Sequence, residues 1–173
     1  MSFKLKQANR IKHLLDRKTR LLVINSFVVS KLQYCSTIWS NTSNSNIDKL
    51  RKVQNFAGRI ILGLRNYEHI SDRLRSLEWR PIREKLILND ATMMHECINK
   101  FVPDYLADMF RLRSQIHNRQ TRSSGALDIP LCRLPTGQRS FAFRGAKLWN
   151  SLNDNIKSLK CPRILGVILQ MFY

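Results

Sequence analysis

From Ile47 to Leu64 the apolar side chains fall three or four residues apart: Ile47, Leu50, Val53, Ala57, Ile60 or Ile61, and Leu64. That spacing returns to one face of a 3.6-residue helix and to neither face of a strand. Lys49, Arg51, Lys52, Asn55 and Arg59 fall outside the stripe, so this helix has a basic outer face. The polar run NTSNSN at 41–46 supplies an N-terminal cap, and Asp48 is expected in the first turn, where a helix favours negative charge. Gly63 is placed to take the left-handed conformation that ends a helix. The basic face is either a track for phosphate or a merely solvated surface, and the spacing alone does not choose.

The same period governs the first two-thirds of the chain. Leu5, Ala8, Ile11 and Leu15 recur at helical spacing, and Thr19 is a candidate cap for a second helix running to about Ser40. A short helix is expected near 71–78. Pro81 then opens a long one, PIREKLILNDATMMHECINK, and Pro103 begins a further turn or two. After residue 113 the character changes to a polar, basic, acid-free stretch at 114–126, which reads as a linker. LDIPLCRL and RSFAFRGAKLW flank PTGQ, which suggests a β-hairpin with Pro135 and Gly137 at the turn and Pro130 confining the first strand to an edge. Pro162 opens a last apolar segment, PRILGVILQMFY. The expected fold is mainly α-helical with a small β-hairpin near the C-terminus. Its parts are a helical region at 1–113, a basic linker at 114–126, and a hairpin with a C-terminal helix at 127–173.

Charge narrows the partners. The 173-residue chain holds 30 Lys and Arg against 12 Asp and Glu, a formal net charge of +18. A field of that strength favours polyanions. Hydrophobic residues make up 43 %, enough to build a core. The stretch 1–47 carries 8 basic and 1 acidic side chain, 48–108 carries 11 and 9, and 109–173 carries 11 and 2. The excess therefore lies toward the two ends of the sequence. Cys35, Cys97, Cys132 and Cys161 are widely spaced with no CxxC pair, as for free thiols in a reducing, intracellular setting such as cytoplasm or nucleus. The most apolar window, 21–39, is interrupted by Asn25, Lys31 and Gln33, which favours a buried helix over a membrane span. The first 20 residues are basic and amphipathic like a mitochondrial presequence, but Asp16 and the scarcity of Ser argue against one.

Catalytic signatures are missing. His95 and Cys97 stand two apart on a helix, so they face apart and do not form a metal pair. YLADM at 105–109 has only part of a polymerase Tyr-x-Asp-Asp loop, and Asp104 and Asp108 have no strand-borne acidic partner for two-metal chemistry. No Gly-rich phosphate loop or nucleophile elbow is present. RSFAFRGAKLW alternates Arg139, Arg144 and Lys147 with Phe141, Phe143 and Trp149. That mixture suits single-stranded nucleic acid, with bases on aromatic rings and phosphates on cations. The preferred and plainer reading is a strand with Phe141 and Phe143 on its core face. Arg111, Arg113, Arg119 and Arg122 form a second basic cluster suited to phosphate.

Taken in order, several of these strings resemble the region that follows the palm in reverse transcriptases of non-LTR (LINE-type, jockey-like) retrotransposons. Tyr34, Cys35, Trp39, Leu50, Val53, Gln54, Asn55, Arg59 and Gly63 sit on the family's Tyr-Cys, Ile-Trp and Lys-Leu-x-x-Val-Gln-Asn pattern. Leu77, Trp79, Pro81 and Arg83 resemble its Leu-x-Trp-Leu-Pro-Val segment. VPDYLADMF and TRSS continue the match, and Arg139, Ser140, Phe141, Arg144, Gly145, Ala146, Trp149, Asn150 and Leu152 resemble its closing signature. Asn153 stands where the family usually has Pro, and GVILQMFY lacks the polar positions expected there.

The resemblance implies a thumb-like helical bundle and post-thumb region that hold template and primer, RNA or an RNA/DNA duplex, against the rest of a reverse transcriptase polypeptide. It also implies that the endonuclease, fingers and palm lie upstream of Met1. No catalytic residue or cofactor is then expected in this chain, and Mg²⁺ belongs to the palm. The expected phosphate contacts are Lys49, Lys52, Arg59, Arg111, Arg113, Arg119, Arg122, Arg139, Arg144 and Lys147. The alternatives are an inactive transposon remnant and a domesticated helical protein-interaction module.

Overall fold

The computed structural model describes residues 2–65, 67–116 and 124–157, with side chains from residue 4 onward. The chain is mainly helical and forms two compact units, Met1–Leu86 and Ile87–Tyr173. The basic stretch after Arg113 belongs to the second of these. The helix expected from Pro162, most of the linker, Arg119 and Arg122 lie outside the described residues.

In the first unit, α1 (Ser2–Ile11) and α2 (Arg17–Ile24) pack on the long α5 (Asn44–Leu62). The core gathers Leu5, Ile24, Val28, Leu32, Ile47, Ala57, Ile60 and Ile61, all buried. Asp16, rather than Thr19, caps α2: its carboxylate accepts from the backbone N–H groups of Thr19 at 3.2 Å and Lys18 at 3.3 Å. The Thr19 hydroxyl and these amides hold the Asp16 carboxyl below its ordinary pKa.

The second expected helix is interrupted. A π-helical turn at Asn25–Val29 precedes α3 (Ser30–Gln33). There the Ser26 hydroxyl donates to the Leu22 carbonyl at 2.9 Å and Ser30 donates to the Ser26 carbonyl. Hydroxyls bonded back onto a helix loosen its ladder. Tyr34 is then extended and Cys35 left-handed at φ 47°, so α4 (Ser36–Trp39) starts afresh.

Helix α5 shows why its sequence stops and starts where it does. Ser43 is the cap and accepts from the Asn46 N–H at 3.4 Å. The helix thus begins inside the polar run, which moves Asp48 out of the first turn and into a 3.5 Å pair with Arg51. Gly63 ends the helix at φ 70°. There the Arg20 guanidinium donates to the Ile60 carbonyl at 3.0 Å, a cation set on the negative end of the helix dipole.

Gln54 lies on the inner stripe of α5, one turn from Leu50 and from Ala57, and is buried. Its Nε2 donates to the Arg80 carbonyl at 2.6 Å, and its Oε1 accepts from the Ile82 N–H at 3.1 Å. The amide thereby spans Pro81 and fixes the start of α7 (Ile82–Ile98), whose first N–H groups have no partner within the helix. Before it, α6 (Ser71–Leu74) runs into a 3-10 turn closed by Glu78 at φ 57°. Gly58 lets α6 approach: a Cβ there would stand 2.8 Å from Ile70 Cδ1 and 2.9 Å from Leu74 Cδ2. Beside Gln54, a cleft of about 130 Å³ lies among Leu32, Trp79, Arg80 and Lys85. Burial, with Arg80 adding to it, lowers the pKa of the half-buried Lys85 amine.

In the second unit, Met94 of α7 packs with Leu127, Ala146 and Trp149. Short helices α8 (Asp104–Ala107) and α9 (Arg113–Ile116) follow. Among the described residues the expected hairpin is absent. Its first arm makes a single antiparallel bridge, Leu112 to Leu127. PTGQ is α10 (Pro135–Gln138), with Pro at its start. RSFAFRGAKLW becomes α11 (Phe141–Ser151), capped by Ser140, whose hydroxyl accepts from the Phe143 N–H at 3.4 Å.

The physical reason is period. Phe141, Gly145, Trp149 and Leu152 repeat at helical spacing, and that stripe wins over the two-residue alternation of Phe141 and Phe143. Gly145 has no Cβ to collide with Met94 Sδ, which lets the helix lie close. The Asn150 amide brackets Leu127, donating to its carbonyl and accepting from its N–H, each at 2.9 Å. A last turn, α12 (Asp154–Lys157), places Ile156 against Ala91.

Replacing Gln54 by Leu removes the amide's bonds to the Arg80 carbonyl and to the buried Ile82 N–H. The expected loss is about 2–4 kcal/mol of unfolding free energy, measured by urea denaturation. A loss under about 0.5 kcal/mol would show that the bracket is not needed.

Candidate nucleic-acid interface

The ten expected phosphate contacts divide by what their charged groups already do. Lys49 and Lys52 stand on the outer face of α5, exposed and with no ion pair among the described residues. Residues 1–86 hold 18 basic and 6 acidic side chains, a net +12, so these two lysines sit in a strongly positive field. Arg59 is different. Its Nε and Nη2 both donate to the Glu68 carbonyl at 3.2 Å, tying the 64–70 loop to α5. Glu68 in turn accepts from the Arg65 N–H at 2.9 Å and pairs with Arg73 at 3.5 Å. Arg59 is a structural cation.

In the second unit, Arg111 is exposed and Arg113 is half-buried. Their backbone pairs with 126–128: the Arg113 N–H donates to the Ala126 carbonyl at 2.9 Å, and the Asp128 N–H donates to the Arg111 carbonyl at 2.8 Å. Arg139 and Lys147 are exposed. Arg144 has its Nη1 on the Asp90 carboxylate at 2.6 Å and its Nε on the Arg139 carbonyl at 3.1 Å. The Asp90 side chain is 9 % exposed and that of Arg144 23 %, so the pair holds α11 to α7. Arg144 is structural first and offers phosphate only its outer edge.

The aromatic residues of α11 separate in the same way. Phe141 and Trp149 join the core, where Phe141 meets Phe110 edge-on at 5.7 Å and Trp149 lies tilted 6.2 Å from His95. Phe143 does not join them. It is half-buried and lines an open pocket of about 480 Å³ with Gln138, Arg144, Lys147, Leu148 and Ser151. Sequence reasoning set Phe141 and Phe143 on one face; the helix turns them about 200° apart. It also passed over Gln138 and Ser151. The helical recurrence of Phe143, Lys147 and Ser151 was the available signal for the latter.

His95 and Cys97 are both buried, and burial raises the Cys97 thiol pKa, with Glu96 adding to it. Cys97 is thus held as a thiol. Among the described residues no group of three or more His, Cys, Asp or Glu side chains is placed to hold a metal ion. Nor is any helix there long and apolar enough to cross a membrane. No protein-family model, curated protein or solved structure matches the chain.

The division between structural and outward cations predicts unequal costs. Arg144→Gln takes the cation from the Asp90 carboxylate and should cost about 2–3 kcal/mol, toward the low end for a broken buried pair because Arg144 is partly exposed. Lys147→Gln should stay within about 0.5 kcal/mol. Equal losses in urea unfolding would contradict the division.

Proposed function

We propose that this chain is a non-catalytic, nucleic-acid-binding part of a retrotransposon RNA-directed DNA polymerase, the thumb and post-thumb region of the non-LTR type. It holds template and primer through basic surfaces. The observation that carries the proposal is Lys49 and Lys52, one turn apart on a capped 19-residue helix, exposed and with no ion pair among the described residues. Cations left unpaired in a strongly positive unit release the counterions of a phosphate backbone when they bind it. Arg111 and Lys147, exposed and without an ion pair among the described residues, extend the same chemistry in the second unit, and Gln54 and Gly63 fall at structurally demanding places within the family-like pattern.

A second reading, an inactive transposon remnant or a domesticated helical protein-interaction module, draws on Leu22, Tyr34 and Ile38, which are 68 %, 76 % and 75 % exposed. Partner binding that is indifferent to salt would favour it.

The test is the affinity of the full chain for an RNA/DNA duplex over a salt series. Lys49→Gln with Lys52→Gln removes two phosphate contacts. It should lower affinity and flatten the slope of log K against log salt by roughly 1.4–1.8. A slope unchanged from the parent would remove α5 from the interface, and absence of duplex and single-strand binding at low salt would end the proposal.

A further inference from the structure

We propose that the pocket beside Phe143 seats one unpaired base of a single-stranded nucleic acid, the base on the Phe143 ring and the adjoining phosphate on Lys147. The inference rests on the nucleic-acid reading above and specifies a site within it. Three observations point to it.

Phe143 is an aromatic side chain that the core does not take. The helix it belongs to buries Gly145, Ala146 and Trp149, and turns Phe141 and Gly145 about 200° away from Phe143. A partly exposed ring at the rim of a pocket of about 480 Å³ leaves room for a planar group against it. Leu148 supplies further apolar floor.

The polar lining is cationic and amide. Lys147 lies one helical turn beyond Phe143, so the ring and the ammonium share a face. Lys147 is exposed and makes no ion pair among the described residues. Among the described residues no acidic side chain lines the pocket, and Arg144, whose charge is met by Asp90, forms part of its wall. Gln138 and Ser151 stand at the same opening; the Gln138 amide donates to the Cys132 carbonyl at 3.2 Å and the Ser151 hydroxyl to the Leu148 carbonyl at 2.6 Å, so each presents its oxygen as an acceptor. An apolar ligand would leave Lys147 without use, and an inorganic anion would leave Phe143 without use. A nucleotide uses both, with stacking on the ring and charge on the lysine.

The occupant is unpaired rather than duplex. A base inside a duplex offers its edge to a protein, whereas stacking on Phe143 needs a free face. Stacking is tolerant of base identity, so the site discriminates strandedness more than sequence.

The test uses the full chain with two fluorescent probes of equal length, an oligouridylate and an RNA/DNA duplex. Phe143→Leu keeps apolar volume and removes the ring; it should weaken oligouridylate binding about tenfold and change duplex binding less than about twofold. Phe143→Trp keeps the ring and should match or exceed the parent, which guards against an effect of misfolding. Lys147→Gln should flatten the single-strand salt slope by roughly 0.7. Phe143→Leu with parental affinity for the oligouridylate, or with equal losses on both probes, overturns the pocket. If duplex binding still depends on Lys49 and Lys52 in that case, the broader function stands without it. If neither probe binds, both fail together.

Discussion

A single side-chain amide holds the first unit in register. Gln54 faces the core from α5 and satisfies the carbonyl before Pro81 and the N–H after it. Proline has no N–H of its own and disfavours helical conformation in the residue before it, so the helical turn begins only at the Pro81 carbonyl, which accepts from the Lys85 N–H at 3.0 Å, and Gln54 serves the groups on either side. The bracket fixes where α7 starts and keeps Leu77, Ile82 and Leu86 on the same core as Ile60 and Ile61. The second unit uses the same device on a smaller scale, with Asn150 bracketing Leu127. In both places a planar amide with one donor and one acceptor matches one backbone carbonyl and one backbone N–H. Outer faces such as that of α5 can then vary without disturbing the fold.

That arrangement explains why the positive charge has two fates. Arg20 closes the end of α5, Arg59 secures the following loop, and Arg144 pairs with Asp90. Each guanidinium gives several donors in a planar fork, which suits carbonyl and carboxylate partners inside a fold. Among the described residues the lysines at 49, 52 and 147 make no such pair, and their compact charges remain in water. Net charge alone would have credited all of them equally. In the fold, the basic first stretch of sequence joins the nearly neutral middle one, so the first unit is more positive than the second.

Much of the helical architecture was legible because the apolar stripe of α5, the cap at Ser43 and the stop at Gly63 are local signals that tertiary packing reinforced. The hairpin was misread because Phe141 and Phe143 imitate strand alternation over three residues, while the helical repeat needs eleven to show itself. The break at Tyr34 and Cys35 left no Gly or Pro to mark it. Gln54 was visible as part of a family-like string, but its role was not, because its partners lie 26 and 28 residues away. Likewise, nothing near Arg144 in sequence announces Asp90, 54 residues distant. Long-range pairing of side chains decides which cations are structural, and spacing in one sequence does not carry it.

Lysine footprinting examines that division most directly. The full chain is acetylated with and without a bound single-stranded oligonucleotide or an RNA/DNA duplex, and the modified positions are read by mass spectrometry. The account predicts that nucleic acid shields Lys49 and Lys52, that a single strand also shields Lys147, and that the half-buried Lys85 changes little. Shielding that spares all three exposed lysines while binding persists would contradict it.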